Sequence, residues 1–206
     1  MVQAFYETLF TDTVRQMQKD QGSERMYARH LAEDAPRKDR LGPDEVQFLS
    51  LRDGFYQATV SENGWPYVQF RGGPRGFLKV LDDKTIAYAD FRGNRQYISD
   101  GNLRTDDRIA IIATDYPNSA RIKILGRARL SDDAGLIEQL RDPDYRGHVE
   151  RAVVIDVEAF DWNCPQHLPV RLTMEELQPM LAPFQQELAQ LRAENAQLKR
   201  QISNGE

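Results

Sequence analysis

Between residues 55 and 160 the chain breaks into β-prone runs separated by tight turns, with only short helical intervals. This punctuation limits its possible folds more than any other feature. Residues 55–60 alternate in polarity, and Ser61-Glu62-Asn63-Gly64 turns the chain back, because Asn-Gly tolerates the positive φ of a hairpin turn. Residues 65–70 form the return strand. Residues 77–81, the Asp82-Asp83-Lys84 turn and residues 85–89 predict a second hairpin. Residues 108–114, the Tyr116-Pro117-Asn118-Ser119 turn and residues 120–130 predict a third. Residues 132–140 read as a helix and 151–160 as the last strand, and the run 94–103 reads as a helix inserted between strands. Strands this closely spaced imply an antiparallel barrel. A doubly wound parallel sheet needs long helical crossovers.

The remainder of the chain lies on either side of this core. Residues 1–51 are expected to form a helical, then irregular, segment packed on the barrel. Thr11 or Asp12 caps a helix through Val14 and Met17, Ser23 precedes a second helical stretch, and residues 32–42 form a loop. Pro43, with Asp44 and Glu45, opens a short helix through Leu51. With 206 residues, the chain has room for one ordinary domain and an appendage. Its 40% hydrophobic content, below the usual ~45–50%, places part of it outside the core. A net charge of -5 argues against a nucleic-acid partner. Cys164 is the only cysteine, so neither an internal disulfide nor a zinc–thiolate cluster is available. His30, His148 and His167 lack HxH or HExxH spacing, and no metal site is expected. With neither a signal-peptide pattern nor a run of about 20 apolar residues, the expectation is a soluble cytoplasmic protein without a membrane partner.

Residues 173–206 are expected to form a C-terminal helix. Its apolar positions alternate spacings of four and three. With Leu181, Leu188, Asn195 and Ile202 at heptad position a, Phe184, Leu191 and Leu198 fall at d. Glu187 and Glu194 then occupy g, and Arg192 and Lys199 occupy e. This is the pattern of a parallel dimeric coiled coil, with a polar residue at a fixing register. The alternative is a single amphipathic helix packed on its own core. Pro179 and Pro183 are expected to confine the regular coil to the segment beyond them.

Three segments carry residues that packing alone does not require. YVQFRGGPRG supplies Gln69, Arg71 and Arg75, and DFRGNRQYISDGN supplies Arg92, Asn94, Arg95, Gln96, Ser99 and Asn102. Arginine and amides at a helix start are the usual means of holding a phosphate. Gly93-Asn94-Arg95, at the expected start of the inserted helix, would bring both to one phosphate. The alternative is that Arg92 and Arg95 are solvated loop cations. No Walker or dinucleotide fingerprint occurs. The third segment, DWNCPQHLPVR, holds Trp162 for stacking, Cys164 as nucleophile or packing residue, and His167 as a proton carrier.

The runs GWPYVQFRGGPRGFLKVLDD, ADFRGNRQYISDGNL and FDWNCPQH, in this order within residues 43–171, resemble the pyridoxamine 5'-phosphate oxidase-like, FMN-binding split-barrel superfamily. More closely, they resemble its bacterial branch of related flavin-binding proteins. The resemblance implies a mainly β fold, a six-stranded antiparallel split barrel over residues 52–171, with peripheral helices. It also implies a homodimer with two FMN sites at the subunit interface. Gln69, Phe70 and Arg71 would flank the flavin ring, with Ala89 and Asp90 beside it. Asn94, Arg95 and Gln96 would hold the phosphate. Trp162, Asn163, Pro165 and Gln166 would come from the other subunit or the rim, with His167 as a proton donor. The vitamin B6 oxidases carry an arginine–histidine–arginine substrate motif where this chain reads PQHLPVR. The resemblance therefore extends to flavin binding and not to that substrate. The function implied is an FMN-dependent oxidoreductase acting on a small or planar substrate, with NAD(P)H as a candidate donor. The alternatives are a flavin-storage protein, a coiled-coil scaffold with an empty barrel, or a haem-degrading relative, for which no axial histidine is assignable.

Overall fold

The computed structural model describes residues 2–203, and side chains through Gln201. The sequence-expected tail residues 204–206 and the side chain of Ile202 lie outside that range. The chain divides into two compact units. One runs through Asp115 and resumes over Ala120–Gln166; the other joins Tyr116–Ser119 to His167 and beyond.

The first unit is built on one antiparallel sheet. Its strands are β1 (Gly54–Val60), β2 (Pro66–Gly72), β3 (Lys79–Val80), β4 (Thr85–Phe91), β5 (Arg108–Asp115), β6 (Ala120–Ser131) and β7 (Val149–Trp162). Their order is β2-β1-β5-β6-β7-β4-β3, so β2 and β3 are the two edges of a split barrel. The expected hairpins form, and Gly64, at φ +86°, supplies the first turn. The sheet holds seven strands, one for each β-prone run of the sequence, where the resemblance implies six; β3 is a two-residue strand paired with β4. Residues 77–81 give only this short strand. Phe77 and Leu78 turn inward, with Phe77 stacked on Phe55 at 5.6 Å, and so leave the edge. Period-two alternation places Ile109, Ile111 and Ala113 of β5 in the core beside Phe55, Tyr88 and Ile155. On the opposite face of β4 and β7, Ala87, Ala89, Ala152 and Val154 pack under Leu140. That leucine ends α6 (Ala134–Leu140), which Asp133 caps by accepting from the Leu136 amide at 2.7 Å.

The N-terminal helices follow their caps. Thr11 accepts from Val14 at the start of α2 (Asp12–Asp20). Ahead of it, α1 (Ala4–Leu9) buries Ala4, Phe5 and Tyr6 against Ala159 of β7. The second stretch is a single turn, α3 (Glu24–Tyr27), followed by a 3₁₀ turn, Ala28–His30. In α4 (Pro43–Ser50), Glu45 accepts from the Gly42 amide at 2.8 Å and from the Trp162 indole at 2.7 Å, tying the helix start to the end of β7.

The inserted helix α5 is Ile98–Thr105, not 94–103. Asn94 Oδ1 takes the Gln96 amide, and Arg95 and Tyr97 adopt left-handed φ of 60° and 53°, which delays helix entry by four residues. In the second unit, α7 (Met174–Ser203) is a 30-residue helix that includes Pro179 and Pro183. Thr173 caps it with a reciprocal pair: its hydroxyl accepts from the Glu176 amide while Glu176 accepts from the Thr173 amide. No helix among the described residues is long and apolar enough to cross a membrane.

β7 bulges at Glu158, opposite the Leu125–Gly126 step of β6, where a Cβ added at Gly126 would lie 2.6 Å from the Asp156 carbonyl oxygen. By contrast, Gly101 sits within α5 with open space around it. Gly126→Ala is expected to cost about 1–3 kcal/mol, and Gly101→Ala to gain about 0.5–1 kcal/mol. Urea unfolding of the two variants against the parent checks both signs.

Candidate functional site

The strand β2 departs from the rest of the sheet. Its half-buried face carries Tyr67, Gln69 and Arg71, while Val68 and Phe70 point outward. This polar inner face meets β4 and α5 across the split, and two buried carboxylates with two partly buried guanidinium groups bridge the gap. Arg71 Nη1 donates to Asp90 Oδ1 at 2.7 Å, and Arg151 Nη1 lies 3.2 Å from Asp100 Oδ2. The diagonals, Arg71 to Asp100 and Arg151 to Asp90, are both 3.9 Å. Two guanidinium groups and two carboxylates thus balance in a square drawn from β2, β4, α5 and β7. Neutral links flank it. Ser99 donates to Gln69 at 2.8 Å, Asn102 to Thr59 at 2.9 Å and Tyr88 to Gln57 at 2.6 Å. Burial raises the Asp90 carboxyl above the usual carboxylate range, and Arg71 opposes that rise. Burial likewise raises the Tyr88 hydroxyl.

Beside this square lie two hollows of about 220 Å³ each, which share Gln69, Arg71, Phe91 and Gly93 in their walls. Each alone is smaller than a typical ligand site of roughly 300–1,000 Å³, and together they fall within that range. The rim of the first is the segment Gly93 to Tyr97. There Arg95 Nε donates to the Tyr97 hydroxyl at 3.1 Å, and no carboxylate among the described residues ion-pairs with Arg95. Arg92, by contrast, donates to Glu150 at 2.8 Å, and this bond holds the Glu150 carboxyl below its usual range. The first turn of α5 contributes Ile98, Ser99 and Asp100 to the same wall and has no side-chain cap on its amides. Among the buried polar atoms of the wall, Arg71 Nε has no hydrogen-bond partner.

The structure brings Gln69, Arg71, Asp90, Asn94, Arg95 and Gln96 to the first hollow, and Phe70 and Ala89 to the second. Gly93-Asn94-Arg95 does not open the helix as expected; it forms the rim ahead of it. Trp162 sits edge-on to Phe48 at 4.8 Å, bound to Glu45 and away from the hollows. The Asn163 amide donates to the Arg121 carbonyl, and the Cys164 carbonyl accepts from the Arg121 side chain. Pro165 and Gln166 are exposed. So is His167, at φ 63°, in the second unit. Six residues of the first hollow's wall escaped sequence reading: Tyr67, Phe91, Tyr97, Ile98, Asp100 and Glu150. The period of two through Gln69 and Arg71 points to Tyr67. Glu150 reaches the wall only through the pairing of β7 with β4, which no local motif reports.

Sheet, split and polar cleft define a split-barrel protein with a polar seam. A model of the family described as pyridoxamine 5'-phosphate oxidase matches residues 41–162, and the chain belongs to that family. No curated protein matches. Among solved structures, an FMN-binding protein from Syntrophomonas wolfei is 14% identical, covers 74% of this chain and 96% of its own, and has a TM-score of 0.46. A Clostridium acetobutylicum protein related to general stress protein 26 is 15% identical, covers 65% and 94%, and scores 0.44. The haem storage protein HutZ from Vibrio cholerae is 16% identical, covers 59% and 94%, and scores 0.41.

Because the folded Asp90 carboxyl titrates above its unfolded value, it holds a proton that the unfolded chain has already released. Stability contributed by this group is therefore lost as pH rises through that raised value. Asp90→Asn, which mimics the protonated form, is expected to gain on the parent as pH rises from about 3 to about 7. Urea unfolding across that range checks it, and a difference independent of pH contradicts it.

Proposed function

We propose that the chain is an FMN-binding oxidoreductase whose cofactor lies in the seam of the split barrel. The observation that carries the reading is Arg95, a guanidinium on the cleft rim without a carboxylate partner, next to the uncapped first turn of α5. That pairing suits a phosphate dianion. Asn94 and Gln96 flank it on the same rim. Gln69 and the Ala89–Asp90 segment, which line the two hollows, would flank a flat ring, and the unpartnered Arg71 Nε would offer a donor to a polar ring edge. The charge on Arg71 is already balanced by Asp90, so its role toward the ring is hydrogen bonding more than neutralisation. The residues fit the group. When bound, FMN supplies reversible two-electron transfer, and the protein's part is to orient the ring and exclude water.

Arg, Asn, Gln and backbone amides make a phosphate site, whereas a haem site needs an axial ligand. The donors on the rim, Asn94, Arg95 and Gln96, are of the phosphate-binding kind, which supports flavin over haem. The wall does not select a substrate beyond something small or planar. NAD(P)H is the proposed electron donor. The outer face of the β1–β2 hairpin exposes Tyr56, Val68 and Phe70 together, which supports a homodimer formed through the barrel. The cytoplasm remains the proposed location.

Arg95→Ala is expected to weaken FMN binding about tenfold or more while leaving riboflavin binding and the urea midpoint unchanged. Flavin fluorescence quenching on titration reads both ligands. Equal FMN affinity in parent and variant removes Arg95 from the phosphate site.

A further inference from the structure

The family match ends at residue 162, and α7 extends beyond it as a 30-residue helix, about 45 Å long at 1.5 Å per residue. Its apolar stripe is left uncovered within the chain. Phe184 is 68% exposed, Leu188 48%, Leu191 54% and Leu198 58%. A lone helix gains nothing from such a stripe in water, since helices in proteins are held chiefly by packing of one apolar face. Asn195 falls on the stripe at heptad position a, where an apolar side chain would pack better and a polar one selects a two-stranded register.

The charges say which occupant fits. In a parallel pair, each g residue faces the e residue five places on in the partner. Glu187 then meets Arg192, and Glu194 meets Lys199, so that both pairs on both sides of the seam are opposite in sign. In an antiparallel pair, g faces g and e faces e, setting glutamate against glutamate and arginine against lysine. Within one chain, Glu194 accepts from Gln190 at 3.2 Å, a neutral contact that a cation across the seam can replace. We infer that α7 pairs with α7 of a second copy of this chain as a parallel, in-register, two-stranded coiled coil through Leu188, Leu191, Asn195 and Leu198.

A parallel pairing delivers both preceding chain segments to the same end of the coil. Two first units are thereby tethered, which raises their effective concentration for each other independently of any contact between barrels. The inference does not rest on the flavin reading, and apoprotein serves to test it.

The test uses full-length chain carrying Cys164→Ser. Into it is placed either Leu198→Cys, at a d position, or Ala193→Cys, on the outer face. Under mild oxidation Leu198→Cys is expected to cross-link at least about tenfold faster than Ala193→Cys, and sedimentation of the unoxidised protein is expected to give a mass of two chains. Glu187→Lys with Glu194→Lys should slow the Leu198→Cys reaction, and adding Arg192→Glu with Lys199→Glu should restore it. Equal rates at 198 and 193, or a mass of three or more chains, overturns the parallel two-stranded assignment. Charge reversal without effect overturns the register that the charges define.

Discussion

The buried square of Arg71, Asp90, Arg151 and Asp100 holds the two ends of the sheet in place, and the cleft exists because of it. Sheet hydrogen bonds run from β2 to β3 through the five strands between them and leave the split itself unbonded. What spans the gap is side-chain chemistry: Arg71 on β2 reaching Asp90 on β4, with Arg151 and Asp100 completing the charge balance. Such a cluster is costly to desolvate and adds little net stability over an apolar filling, but removal of one member leaves an uncompensated buried charge. Its effect is to fix geometry. β2 and β4 are held at one spacing, and Gln69, the Gly93–Tyr97 rim and the α5 start keep fixed positions around one hollow.

Much of this was readable from the chain. Period-two alternation and Asn-Gly, Asp-Asp and Pro-Asn turn residues locate seven strands, because both signals are local and each reports one backbone preference. The two glycine- and arginine-rich segments stand out for carrying more donors than packing requires, and they do meet at the cleft. The family resemblance, too, is carried by ordered motifs, of which the first two lie within the matched span and the third begins at its end.

What was not legible depends on partners far apart in sequence. Residues 94–97 have helix-compatible composition, yet Asn94 captures the Gln96 amide, and the left-handed Tyr97 is held by Arg95 and by the Arg151 guanidinium 5.8 Å over its ring. Nothing in the local sequence reports a cation supplied from β7. Trp162 looked available for stacking because its indole partner, Glu45, is 117 residues away. Glu150 and Arg151 read as ordinary strand charges until the register of β7 against β4 sets Arg151 opposite Asp90.

The proposed function rests on the polar seam holding a flavin phosphate. The most direct test is the visible absorption spectrum of freshly purified protein, with the released chromophore identified by mass. The account predicts oxidised-flavin bands and a released mass equal to that of FMN. A haem spectrum, or a colourless protein that takes up no added FMN, would contradict it.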